Sequence, residues 1–134
     1  MAMERAEQAV NFKHNGNNCC QAVLMAYADR MDISEQQIKR LGATFGAGMG
    51  CFESTCGSLC AAQMVLGMTG GTIRSAKLLV EGFRTRAGGS TICRELKGLE
   101  TGNMLCTCDD CVRYASAARR PPFWQSARAG FGVI

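Results

Sequence analysis

Hydrophobic positions recur three and four residues apart along nearly the whole chain, and no stretch alternates strictly between apolar and polar residues. Because 3.6 residues complete a helical turn, this spacing marks helices with one face turned to a core. The pattern predicts an all-α protein. A first helix over residues 3 to 13 turns Ala6, Ala9, Val10 and Phe12 inward and stops at the turn-forming run from His14 to Asn18. Asn17 or Asn18 then caps a second helix carrying Cys20, Val23, Leu24 and Tyr27 on one face. Ser34 followed by Gln37 has the spacing of a capping box, and Gly42 marks the stop of a short third helix.

The next segment holds Gly42, Gly46, Gly48, Gly50 and Gly57. An interior glycine costs a helix about 1 kcal/mol relative to alanine, so a tight loop or a close backbone crossing is expected there. A core helix should run from Ser54 or Thr55 to Met68, and another over residues 73 to 87. A short helix capped by Ser90 or Thr91 ends at Gly98, and Asp109 or Asp110 opens a last one running to about Arg119, before Pro121 and Pro122. The chain thus reads as a single-domain helical bundle of about five to six helices with a Gly-rich central loop. Residues 1–120 form the domain and residues 121–134 a C-terminal tail.

Composition narrows the function. The net charge is +4, but the basic residues are scattered and there are only one Trp and two Tyr, which argues against a stacking surface for nucleic acid. The N-terminus lacks a basic start followed by an apolar run, and no apolar stretch has bilayer length. The expectation is a cytoplasmic protein that does not enter a membrane. The cysteines change the picture most: there are nine, an odd number, beside a single histidine. Cytosolic thiols are kept reduced, and 134 residues bury a core without cross-links, so a disulfide framework is not expected. Thiolate chemistry or a soft metal centre is.

Cys106, Cys108 and Cys111 lie close enough in sequence for one loop or helical turn to fold their sulfurs inward, with Cys93 the nearest fourth ligand. Cys51, Cys56 and Cys60, taken singly, read as packing residues. Cys19 and Cys20 diverge by about 100° on a helix, so one is expected to face a site and the other the core. Cys19, Cys56 and Cys108 fall near helix N-termini, where thiols are more acidic. No Cys-x-x-Cys-His motif supports covalent haem. His14 reads as a charge partner at a helix end. Glu53, Glu95, Asp109 and Asp110 read as helix-end groups and not as catalytic acids.

The ordered blocks NNCCQAVLMAY, FGAGMG, ESTCGSLCAAQMVLGM, CRELKG and CDDCVRYA, covering roughly residues 5 to 118, resemble the C_GCAxxG_C_C family, which is itself similar to part of the split-Soret cytochromes. The resemblance implies a redox-active protein. It places the family's cysteines on Cys19, Cys56 (followed by Gly57), Cys93 and Cys108. Cys20 and Cys60 stand where the family more often has small residues, Ala61 where it has glycine, and Cys106 and Cys111 are additions. Two ligand sets stay open: Cys19, Cys56, Cys93 and Cys108, or Cys93 with Cys106, Cys108 and Cys111. The expected function is electron transfer or redox sensing with an iron-sulfur cluster, most simply a two-iron one, held by cysteine thiolates. The alternatives are a structural zinc module and a thiol-disulfide protein cycling Cys108 with Cys111. The expected partners are an unspecified redox protein and, through the apolar tail, a second copy of the chain.

Overall fold

A computed structural model describes residues 4–117. Among them are eight α-helices, α1 (Arg5–Lys13), α2 (Cys19–Ala26), α3 (Glu35–Gly42), α4 (Gly46–Met49), α5 (Gly57–Met68), α6 (Ile73–Arg86), α7 (Cys93–Lys97) and α8 (Cys108–Ala117), with one 3-10 turn at Ala28–Arg30. No strand occurs among these residues, and the all-α expectation holds. The helices outnumber the five or six expected. The short α7 falls where a helix ending at Gly98 was expected, whereas α4, only four residues long, is too short for a hydrophobic period to register. The end of the last helix near Arg119 and the tail over residues 121–134 lie outside the described residues.

The core is built on α2 and α5. The sequence of α2 is apolar nearly all round, which suits a helix enclosed by others, and it packs against α1, α3, α5 and α8. Cys20, Ala22, Val23 and Leu24 are fully buried, as are Ala61, Ala62 and Val65 of α5. The capping box expected at Ser34 forms, and the cap expected at Asn17 or Asn18 is Asn18, which makes a second box. In α2 the Gln21 N–H donates to Asn18 Oδ1 at 2.7 Å and the Asn18 N–H to Gln21 Oε1 at 2.9 Å. In α3 Ser34 and Gln37 repeat the exchange at 3.1 and 2.9 Å.

Three boundaries differ from the sequence reading. The second helix stops at Ala26 and passes into the 3-10 turn. Cys56 is the N-cap of α5 and not a residue within it, with non-helical backbone. The last helix opens at Cys108, because Thr107 Oγ1 accepts the Asp110 N–H at 3.0 Å. The aspartates expected to cap it are engaged elsewhere: Asp109 accepts Lys13 Nζ at 3.2 Å and pairs with His14 Nε2 at 2.7 Å, and Asp110 accepts Arg113 at 2.6 Å. Arg113 also reaches Glu7 at 2.6 Å. The pairs of Asp109 with Lys13 and His14 and of Arg113 with Glu7 fasten α8 to α1, although most of the groups are partly exposed and salt screens them.

Among the described residues no helix is long and apolar enough to cross a membrane.

One buried polar contact locks α2 to the end of α8: the Tyr27 hydroxyl donates to the Ser116 carbonyl at 2.8 Å. Tyr27→Phe keeps the ring and leaves that acceptor without its donor. Urea unfolding should show a loss of about 1–3 kcal/mol, the cost of an unsatisfied buried polar group.

Candidate functional site

Cys56 and Cys93, 37 residues apart by their numbering, are placed side by side by one isolated antiparallel bridge, Thr55 to Ile92. The Cys56 N–H donates to Thr91 O at 2.8 Å, the Cys93 N–H to Ser54 O at 3.0 Å, and the Arg94 N–H to Phe52 O at 2.7 Å. The bridge brings the start of α5 against the start of α7. Cys19 is the first residue of α2 and Cys108 the first of α8. All four of these cysteines, together with Cys111 one turn into α8, line a single cavity of about 180 Å³. Phe52 and Leu96 form apolar parts of its wall, and Lys13 and Lys97 also border it.

Backbone must approach sulfur closely to close this cavity. A Cβ on Gly57 would lie 2.5 Å from Phe45 O and 2.8 Å from Cys19 Sγ. On the other side Gly48, with φ of +58°, lies so near Cys93 that a Cβ there would sit 2.5 Å from the Cys93 Cβ. Gly48 belongs to a left-handed turn. Ala47, Met49 and Gly50 also have positive φ, as does Phe52, while the Gly50 N–H still reaches Gly46 O at 2.9 Å. The Gly-rich stretch, expected to be a tight loop or a close backbone crossing, is a left-handed helical turn at α4. Each non-glycine residue held this way costs about 1–2 kcal/mol. The turn aims the Ala47 N–H at the Cys19 sulfur.

The thiols are not electrostatically equivalent. Cys56 is pushed down to about 6. A hydrogen bond from the Cys111 thiol is the largest cause; burial opposes it, and the Ser58 hydroxyl and the Ser58 and Leu59 N–H groups assist. The Ser58 Oγ lies 2.9 Å from Cys56 Sγ. Cys111 is driven up by the same contact and by burial. Burial raises Cys19, reinforced by the charge of Cys56 and opposed by the Ala47 N–H. Burial also raises Cys93 to about 11, against the pull of Lys97. Lys97 Nζ donates to Cys108 Sγ. Its own pKa is raised: burial works to lower it, and the hydrogen bond and charge of Cys108 outweigh that.

The remaining cysteines separate cleanly. Cys106 is buried outside the cavity wall, with its thiol against Cys111. Cys20 packs in the core, so the adjacent pair divides as the helix geometry requires. Cys60 is buried behind Cys56, with its sulfur 3.9 Å from Thr55 O. Cys51, read as a packing residue, is exposed instead, because the left-handed turn carries it to the surface. Cys108 and Cys111 share a Cys-x-x-Cys spacing, yet their sulfurs engage Lys97 and Cys56 respectively. His14 caps the C-terminus of α1 and faces Asp109.

Sequence reasoning overlooked Lys97, Lys13, Ser58 and the turn at Ala47. Lys97 carried a usable signal, since it follows Cys93 by four residues and shares its helix face. Among the described residues no three His, Cys, Asp or Glu side chains converge as a single metal ion would require.

Fold and site together define a cysteine-rich, all-helical protein built around one thiol-lined cavity. Residues 17–119 match the family model described as "Putative redox-active protein (C_GCAxxG_C_C)", which spans well over half of the chain and every cysteine of the cavity. The chain belongs to the C_GCAxxG_C_C family. No curated protein and no solved structure gives a significant match.

Two outcomes test this geometry. In metal-free protein the alkylation of Cys56 by a small haloacetamide, followed by peptide mass analysis, should lose rate only as pH falls through about 6. Removing the Ser58 hydroxyl with Ser58→Ala should move that midpoint upward. The lowered value also means that ionised Cys56 stabilises the fold at high pH, and that this contribution fades as pH drops toward about 6. Separately, Gly57→Ala should destabilise the protein by about 1–3 kcal/mol through overpacking, and thiol-reactivity mapping should show Cys19 displaced.

Proposed function

We propose that this protein is a cytoplasmic electron-transfer or redox-sensing protein whose Cys19, Cys56, Cys93 and Cys108 thiolates hold an iron-sulfur cluster. The observation that carries the reading is the shape of the sulfur set. Cysteines from four separate parts of the chain line one partly open cavity of about 180 Å³, yet no three of them converge on a point. A structural zinc ion needs its four donors within about 2.3 Å of one centre. A cluster distributes its thiolates over several metal atoms and so accepts a wider ring. Iron, sulfide and zinc contents measured on one sample separate the two.

Bound there, such a cluster supplies reversible one-electron transfer. The chain's own groups have definable tasks around it. Phe52 and Leu96 keep water from the sulfurs. The Ala47 N–H, the Ser58 hydroxyl and the Lys97 ammonium donate to Cys19, Cys56 and Cys108, offsetting negative charge on the thiolates and so favouring the more reduced state of whatever they hold. All nine cysteines are free, as a reducing compartment would keep them.

The test is anaerobic reconstitution of the full chain with ferrous iron and sulfide. A brown protein with sulfur-to-iron charge-transfer absorption and matched iron and sulfide contents is expected. Cys56→Ser and Cys93→Ser should each lose most of the iron, and Cys51→Ser should keep it. A colourless product without iron, or one zinc per chain with no visible absorption, overturns the reading.

A further inference from the structure

The cavity holds one thiol more than the proposed cluster uses. Cys111 lies outside the four-residue set, and its sulfur is in hydrogen-bond contact with Cys56 across the interface between α8 and α5. Both thiols are free, and both line the cavity. The pairing suggested by the Cys-x-x-Cys spacing is diverted, because Cys108 Sγ is taken up by Lys97. Cys106 also touches Cys111, but it does not line the cavity, so a small reactant entering there meets Cys56 first.

We propose that Cys56 and Cys111 form a reversible disulfide by exchange with a small-molecule disulfide admitted to the cavity. Cys56 Sγ attacks one sulfur of that disulfide, forming a mixed disulfide and expelling one thiol. Cys111 Sγ then attacks the Cys56 sulfur, and the second thiol leaves. The protons of the two cysteine thiols end on the two departing thiols. The protein loses two electrons and the small disulfide gains them. The two thiols line the same cavity on helices that pack together, so closure joins groups that the fold already makes neighbours. The disulfide itself depends only on this contact. Its consequence depends on the cluster reading: withdrawing Cys56 removes one of the four thiolates, so the oxidised site cannot hold the cluster.

The experiment treats the full-length, metal-free protein with oxidised glutathione and maps its disulfides by non-reducing peptide mass spectrometry. The expected result is the loss of two thiols per chain and one dominant cross-link joining the peptides of Cys56 and Cys111. Cys111→Ser should halt at a glutathione adduct on Cys56, which the wild type carries only transiently. A dominant cross-link of Cys106 with Cys111 or of Cys108 with Cys111, or a stable adduct on a different cysteine, overturns the proposal. If the variant does not fold, the wild-type map decides alone. Because the mapping is done without metal, its outcome is independent of whether reconstitution succeeds, and the two ideas fail separately.

Discussion

Negative charge gathered on neighbouring sulfurs inside a low-dielectric space is the constraint around which this protein is arranged. Each buried thiol resists ionisation through lost hydration, and each ionised neighbour adds repulsion. The pattern of raised values at Cys19, Cys93 and Cys60 is that constraint made visible. The fold answers it with donors: the first turn of α5, the amide of Ala47, the hydroxyl of Ser58 and the ammonium of Lys97. One thiol, Cys56, collects enough of them to ionise readily, and it does so beside a partner that stays protonated. The asymmetry between Cys56 and Cys111 follows from one being an N-cap and the other lying inside a helix.

Bringing these groups together demands backbone that would be costly elsewhere. The left-handed turn at α4 places alanine and methionine in conformations that favour glycine, and it does so against the wall of the cavity. Strain of this kind persists only where surrounding structure overdetermines it. Here the bridge from Thr55 to Ile92 and the hydrogen bond from Arg94 to Phe52 O supply that determination. The short helix α7 exists within this frame, and its five residues present both Cys93 and Lys97 to the same space.

Much of the fold was legible in the sequence. The capping boxes of Asn18 with Gln21 and of Ser34 with Gln37 are local chemistry, and local chemistry can be read along the chain. The division of Cys19 from Cys20 followed from helical geometry alone. The start of α8 was misread because the aspartates that look like caps are drawn away, Asp109 by Lys13 and His14, which are remote in sequence, and Asp110 by Arg113 on its own helix. The exposed position of Cys51 depends on positive φ angles at Ala47 and Met49, which their residue types disfavour. For the site, ordered blocks pointed to Cys19, Cys56, Cys93 and Cys108, whereas the contact of Cys111 with Cys56 is a product of helix packing and leaves no trace in spacing.

The bridge between Thr55 and Ile92 also bears on how the molecule is made. It couples two stretches that leave the ribosome at different times, and the last wall of the pocket is delivered only with α8, close to the end of the described chain. Until α8 has emerged, a nascent chain therefore has no complete receptacle. Whatever comes to occupy it meets the full set of sulfurs only once that helix has docked on α5.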